Sequence, residues 1–150
     1  MDYNVESLHK EIDLIQGCVN RMAQNSFMLK GWLISLIAVV IVLFPKDVDI
    51  NPQILLLLLF GIICCFWYLD GFFLNLEKLY RMKYMWVISE RPKGNLNFLY
   101  DLNPYNKNMW LNPNSKKCKT INGIISITLI VFYGMILLVS IGIVLIKISC

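Results

Sequence analysis

Long apolar runs divide the chain into three predicted membrane-spanning helices. The first run covers residues 26–44 and is interrupted only by Lys30. The second begins at Pro52, a favourable first residue of a helix, and stays apolar as far as Asp70. The third, residues 121–146, has 26 residues and no charge. Because about 20 apolar residues in a helix cross a hydrocarbon core of about 30 Å, each run can span a bilayer.

Apolar residues upstream of the first run recur at helical spacing. They fall at alternating intervals of three and four residues within 3–25, as in the seam of a coiled coil or a tight helix pair. The stripe consists of Val5, Leu8, Ile12, Ile15, Val19 and Met22. It predicts an amphipathic helix and leaves two packing partners open, another helix of the same chain or a second copy of the chain.

The second helix is predicted to continue well past its apolar run. Helical spacing persists beyond Asp70 until Pro92 and Gly94 break it. From Pro52 to Arg91 a helix is about 60 Å long, so about half of it must protrude from the bilayer. The predicted segments are an amphipathic helix at 1–25, spans at 26–44 and 119–147, an external turn at 45–52, a long helix at 53–91 and a loop at 92–118.

The predicted loop at 92–118 is rich in Asn and Pro and has few aliphatic residues. This composition favours an irregular segment over a separate domain. Its larger apolar side chains are expected at the membrane surface, where amphipathic rings are favoured. They are Phe98, Tyr100, Tyr105, Trp110 and Leu111.

Composition places the chain among integral membrane proteins. Hydrophobic residues make up 57% of it and charged residues 16%, whereas soluble domains are about half apolar and about a quarter charged. The small net charge of +4 and the high aromatic content argue against a disordered chain. The expected fold is an all-α membrane protein with three transmembrane helices, an N-terminal amphipathic helix and a long second helix extending into the cytoplasm.

The distribution of charge predicts the orientation in the membrane. Residues 71–119 contain nine Lys and Arg and three Asp and Glu, whereas the short 45–52 turn is net negative. Loops that carry the Lys/Arg excess stay on the cytoplasmic side. We therefore expect the 71–119 segment and the N-terminus inside the cell and the 45–52 turn outside it.

Isolated charges in the apolar runs predict contacts between the first two spans. In a hairpin that turns near residues 47–51, residues whose numbers add to 98–100 lie opposite each other. Lys30 and Asp70 satisfy this condition. Arg21 and Glu77, which lie just outside the first two apolar runs, satisfy it as well. Pairing offsets part of the cost of burying a charge. The pairs either pin the register of the hairpin or take part in gating or in an ion or proton path.

Small residues on the third run predict a helix-packing or oligomer face. On a helical wheel Gly123, Ser126 and Gly134 lie on one side of the helix. Three short spans offer little room for a cavity within one subunit. A pore would therefore have to be built by several copies around an axis, so a homo-oligomer is expected.

The sequence contains no recognisable catalytic or metal-binding constellation, so we expect neither an enzyme nor a cofactor. His9 is the only histidine, and the five cysteines show no metal-ligand spacing. There is also no Gly-rich phosphate loop. Anionic lipid headgroups account for the basic segment more simply than nucleic acid or a nucleotide, which stay the alternative partners.

The stretches 20–32 (NRMAQNSFMLKGW) and 66–84 (FWYLDGFFLNLEKLYRMKY) are both distinctive. They resemble segments of a family of small, mostly uncharacterised bacterial membrane proteins carried near phage-defence genes. The family pattern is RMAxNSFxLKGW followed, after a turn, by an apolar helix ending in WxLDxxxLxxExxxR. The matching residues here are Arg21, Met22, Asn25, Ser26, Phe27, Leu29, Lys30, Gly31, Trp32, Trp67, Leu69, Asp70, Leu74, Glu77 and Arg81. The resemblance covers about a third of the chain and implies a bacterial inner membrane and a defence context, with membrane disruption as one outcome.

These observations lead to one functional hypothesis and two alternatives. The hypothesis is an oligomeric inner-membrane effector that perturbs membrane integrity or ion permeability in anti-phage defence, in response to a cytosolic partner or signal. The first alternative is a membrane-anchored adaptor or regulatory subunit that recruits a soluble partner. The second is a small transporter whose site contains Lys30 and Asp70.

Overall fold

Helices account for nearly all regular structure in the described part of the chain. The computed structural model describes residues 5–43, 52–111 and 125–149. Its three long helices are α1 (Val5–Leu43), α2 (Pro52–Glu90) and α3 (Ile127–Ser149). Two short 3-10 turns, Arg91–Lys93 and Lys107–Met109, interrupt the segment after α2. No strand occurs within these described ranges.

All three long helices are apolar and long enough to cross a bilayer, so the chain has the architecture of a multi-pass membrane protein. This confirms the predicted all-α fold with three candidate spans. At most 28% of the most apolar window of any one helix is buried within the chain. Most residues of these windows are therefore not buried within the chain. Residues 45–51 of the predicted turn at 45–52, and residues 112–124, lie outside the described residues.

The segments predicted as an N-terminal amphipathic helix and a first span form a single uninterrupted helix. α1 and α2 each contain 39 residues, which corresponds to about 58 Å at 1.5 Å per residue. No proline interrupts either helix after its first residue, so neither has a sequence reason to break. Both helices are thus nearly twice as long as the hydrocarbon core is thick.

The helices α1 and α2 pack side by side in an antiparallel arrangement. Gln16 contacts Tyr84 and Lys30 contacts Asp70, so the paired residue numbers add to 100 in both cases. α3 packs mainly against α2. The apolar core shared by the three helices consists of Leu33, Ile37, Val40, Leu55, Leu59, Ile63, Leu129, Tyr133 and Val144.

A second, smaller core lies at the far end of the α1–α2 pair. It consists of Ile15, Trp86, Val87 and Met109. We call residues 5–25 of α1 together with 71–90 of α2 the stalk, and residues 91–111, which fold back over it, the cap. Met109 brings the cap into the core of the stalk, so the cap is packed on the stalk.

The predicted apolar stripe on α1 packs largely against its own chain. Ile15 is fully buried, Leu8 and Ile12 pack against the second core, Val19 and Met22 are half-buried, and Val5 is exposed. One aromatic prediction for the loop was wrong. Trp110 is buried, and its Nε1 donates a hydrogen bond to the carbonyl oxygen of Pro104, 3.2 Å away, because the cap folds inwards on itself.

Candidate functional site

A buried polar cluster joins all three long helices. Its centre is Asp70 of α2, whose side chain is 0% exposed. Ser26 and Lys30 of α1 and Tyr133 of α3 surround it. Such a carboxylate is costly to bury without compensation, so its partners decide what the cluster can do.

Every partner of Asp70 either carries a positive charge or donates a hydrogen bond. Lys30 Nζ lies 2.6 Å from Asp70 Oδ2, and the Tyr133 hydroxyl donates to the same oxygen at 3.0 Å. Ser26 Oγ donates to Asp70 Oδ1. Lys30 Nζ in turn donates to Ser26 Oγ at 2.9 Å. The result is a closed network in which the carboxylate is neutralised and both of its oxygens accept hydrogen bonds.

Aromatic rings enclose the polar cluster. Tyr133 stacks on Trp67 with ring centroids 5.8 Å apart and planes 4° apart. Lys30 Nζ lies 5.8 Å from the centroid of Phe132, within the range of a cation–π contact. Asp70 is fully buried beside these rings, and its attraction to Lys30 is stronger there than it would be in water.

The structure brings one of the two predicted charge pairs together. Lys30 and Asp70 are in contact, as predicted for residues whose numbers add to 100. Arg21 and Glu77 do not form the predicted ion pair. Glu77 accepts from Arg81 at 2.8 Å, and Arg21 Nη2 donates to the thiol of Cys18 at 3.4 Å. An arginine four residues along the same helix reaches the carboxylate more easily than one on the neighbouring helix.

The contribution of α3 to the cluster was absent from the sequence prediction. Tyr133 lies in the middle of an uncharged apolar run, where a tyrosine is readily taken for a packing residue. The available signal was its hydroxyl, because a buried tyrosine needs a hydrogen-bond partner. The available acceptor was Asp70, the isolated acidic residue at the end of the second apolar run. Nothing in the α3 sequence sets its rotation relative to α2, so the pairing could not be derived.

A second buried ion pair attaches the cap to the stalk. Arg91 Nε and Nη2 donate to the two carboxylate oxygens of Glu11 at 2.8 and 2.7 Å, and both side chains are almost completely buried. Arg91 Nη1 also donates to the carbonyl oxygens of Asn95 and Asn97. The backbone N–H of Tyr100 donates to Glu11 Oε1 at 3.2 Å. The two-pronged geometry holds the cap backbone at a fixed position on α1.

Lys83 makes a further attachment between stalk and cap. Its Nζ donates to the carbonyl oxygen of Asn103 at 2.8 Å and lies 3.5 Å from Asp101 Oδ1. Burial alone would raise the pKa of Asp101, but hydrogen bonds from Asn106 and Asn103, together with the Lys83 ammonium, hold that pKa below its usual value. The ionised carboxylate therefore contributes to cap stability.

The predicted small-residue face on α3 is only partly described. Gly123 lies outside the described residues, and Ser126 and Gly134 are half-buried. A Cβ atom placed at Gly134 would meet nothing within 4 Å. Gly134 therefore does not serve close helix packing within the chain, and its role between copies stays a prediction.

No metal-binding group emerges from the part of the chain that the structure describes. Within it, no three His, Cys, Asp or Glu side chains lie close enough to hold a metal ion. Cys18, Cys64 and Cys65 are free thiols.

Comparison of the chain with protein families, curated proteins and solved structures finds no match.

Proposed function

We propose that the chain is a subunit of an oligomeric effector of the bacterial inner membrane that perturbs membrane integrity or ion permeability in anti-phage defence. The observation that carries the proposal is the continuity of α1 and α2. Each 39-residue helix links the cap ion pair at one end to the buried cluster around Asp70 and to an apolar section beyond it. A displacement of the cap would reach the bilayer along two continuous helices.

The positive-inside rule supports a cytoplasmic position for the stalk and the cap. The segment from residue 71 to residue 119 carries three times as many cations as anions. The cap is then the part of the chain that meets a cytosolic signal. The Glu11–Arg91 pair would hold the resting arrangement until that signal shifts it.

Permeation through this protein would require several copies. The described three-helix core is filled by apolar side chains such as Leu33, Leu59 and Ile63. Large apolar side chains also cover the outside of each span, including Val42, Leu57 and Leu138. Lipid or a second copy can cover these outer surfaces, so an aqueous path would form between subunits.

A membrane-potential dye in bacteria tests the proposal. Cells expressing the native chain or the Glu11→Gln variant are compared with cells expressing Glu6→Gln, which alters an exposed ion pair on the same helix. We expect Glu11→Gln to depolarise the cells, because it loosens the cap. If neither this variant nor the native chain depolarises cells at matched membrane levels, including during phage infection, the effector proposal fails.

The adaptor alternative is favoured by the surface of the cap. Leu96, Phe98, Leu99 and Tyr100 are exposed, and Phe98 and Tyr100 have positive φ angles of 57° and 56°. Such a backbone is strained for residues other than glycine, and the cap presents these side chains outwards despite that strain. Replacing residues 96–99 with Gly and Ser keeps Tyr100, which bonds to Ser7 and Glu11 of α1. If the chain is an adaptor, this change should abolish capture of a soluble partner. If the chain is an effector that acts alone, the change should leave depolarisation unaffected.

The transporter alternative has less support. Both Asp70 oxygens and Lys30 Nζ are already occupied by partners within the chain. A substrate would have to displace these contacts. The Asp70→Asn variant separates the cases, because a transporter would lose flux while keeping its stability.

A further inference from the structure

A narrow apolar groove runs between α2 and α3 within their apolar sections. Its floor consists of Leu59 and Ile63 of α2 and Ser140 of α3, each at most 3% exposed. Phe60 of α2 and Ile141 of α3 also line the groove and are 54% and 36% exposed, so they form its two rims. The groove has a volume of about 180 Å³. Because Leu59 and Ile63 belong to the three-helix core, the groove opens away from that core.

The small side chain of Ser140 creates the groove. The same face of α3 contributes the larger side chains of Leu129, Tyr133 and Val144 to the core. The Ser140 hydroxyl donates a hydrogen bond of 2.8 Å to the carbonyl oxygen of Ile136 in its own helix, so it needs no water in the groove. Among the described residues that line the groove, Ser140 is the only polar one. The groove therefore suits a purely apolar group.

The position of the groove along α2 limits what can reach it. Its α2 residues extend from Leu56 to Ile63, so it is about 10 Å long parallel to the helix axis. Leu56 lies about 6 Å from Pro52, the first residue of α2, and Ile63 lies about 10 Å from Asp70. The groove is thus inside the hydrocarbon core of a bilayer that α2 spans, nearer to the Pro52 end. Lipid acyl chains and membrane-spanning helices are the groups present at that depth.

The shape of the groove favours an acyl chain over a helix of a second copy. Acyl chains run roughly parallel to the helices that span the same bilayer, so one chain can lie along the whole groove. Neighbouring side chains on one face of a helix are about 5–6 Å apart, so a second helix would place only about two of them in the groove. Helices approach each other closely in membranes where small residues meet. The exposed Phe60 and Ile141 rims would instead hold a second helix away.

The size of the groove also fits a short length of hydrocarbon. Apolar cavities of about 150 Å³ stay free of water and bind a molecule the size of benzene. An empty groove would leave Leu59 and Ile63 without van der Waals contacts on one side. A segment of one acyl chain restores these contacts and requires no polar partner.

We propose that the groove between α2 and α3 binds one lipid acyl chain, from the leaflet at the Pro52 end of α2. The bound chain contacts both helices and thereby supports the position of α3, which packs mainly against α2. This site does not depend on the proposed effector function, because it requires only that α2 and α3 span a bilayer.

Photocrosslinking within a bilayer tests the proposal. The chain is reconstituted in vesicles of phosphatidylethanolamine and phosphatidylglycerol, some of which carry a diazirine in the middle of one acyl chain. Peptide mass spectrometry then measures labelling of Leu56 and Leu137, which are half-buried and line the groove. Val39 of α1, which is 51% exposed, reports ordinary contact with surrounding lipid.

Filling the groove should displace the acyl chain. We expect Ser140→Leu to lower the labelling of Leu56 and Leu137 at least fivefold and to leave the labelling of Val39 unchanged. Ser35→Leu is the matched control, because Ser35 is exposed on α1 and its hydroxyl bonds in the same way to the carbonyl oxygen of Gly31, at 3.0 Å. It should leave all labelling unchanged. Labelling of the groove that is the same in Ser140→Leu as in the native chain overturns the proposal.

Smaller substitutions separate filling of the groove from loss of the hydroxyl. Ser140→Ala leaves the groove open and should be labelled like the native chain, whereas Ser140→Val should give an intermediate value. This series also provides the test if Ser140→Leu does not fold. A loss of labelling in Ser140→Ala as large as that in Ser140→Val would contradict the acyl-chain site.

Thermal unfolding in detergent gives an independent measurement. Added phosphatidylethanolamine should raise the unfolding temperature of the native chain more than that of Ser140→Val, in which the groove is already partly filled. An equal rise in the two proteins would count against the site. Neither result bears on membrane depolarisation, so the effector proposal is tested separately.

Discussion

The hydroxyl of Tyr133 in α3 donates a hydrogen bond of 3.0 Å to the Oδ2 atom of Asp70 in α2. The same oxygen lies 2.6 Å from the ammonium nitrogen of Lys30 in α1. One carboxylate atom therefore holds two neighbouring helices against α2. Changes at Asp70 should affect the whole helix assembly, and changes at Tyr133 mainly the position of α3.

The Asp70→Asn variant tests the ion pair. It leaves the Lys30 ammonium without its counter-charge, and we expect a loss of stability of about 2–3 kcal/mol, less than for a fully buried pair because Lys30 is partly exposed. Thermal unfolding in detergent measures the effect. Glu77→Gln, which breaks a pair whose Arg81 is well exposed, is the control and should cost less than about 1 kcal/mol. Equal effects of the two variants would contradict a central role for Asp70.

The Tyr133→Phe variant separates the hydrogen bond from the ring packing. It removes the donor to Asp70 and keeps the stacking on Trp67, so we expect a loss of about 1–1.5 kcal/mol. Tyr133→Ala also removes the ring from the core and should cost about 3–5 kcal/mol. Unfolding in detergent measures both. A phenylalanine variant as unstable as the alanine variant would show that the hydroxyl has an additional role.

The Glu11→Gln variant should release the cap from the stalk. It leaves the buried Arg91 guanidinium without a counter-charge, which costs about 3–5 kcal/mol. Hydrogen exchange and limited proteolysis should then increase in residues 92–111 and remain unchanged in the three-helix core. Glu6→Gln is again the control. Faster exchange throughout all three helices would mean that the cap is not a separate unit.

Cap stability should fall in acid because of Asp101. Since the pKa of this carboxyl is lower in the folded protein than in the unfolded chain, its ionised form stabilises the folded state above the unfolded value of about 3.9. This stabilisation disappears as the pH falls through the folded-state pKa. The native chain should therefore unfold at a higher temperature than Asp101→Asn at pH 6, with the difference shrinking below about pH 4. A difference that grows in acid would contradict this assignment.

The register of α1 against α2 could be predicted from the sequence because the geometry of a helical hairpin is simple. Two antiparallel helices joined by a short turn have few possible registers, and a lysine and an aspartate in apolar surroundings select one of them. The same argument failed for Arg21, because Arg81 on the same helix competes for Glu77. The register argument also gave no information on the cap, because Glu11 and Arg91 lie eighty residues apart and no repeating pattern relates them.

The sequence by itself determined the number and length of the apolar helices, because the thickness of a bilayer and the rise of a helix leave little freedom. It also determined the level at which Lys30 and Asp70 meet. Only the tertiary structure decided that Tyr133 completes their network and that the cap folds back onto Glu11. Both contacts depend on how separate elements rotate and dock against each other, which local spacing does not encode.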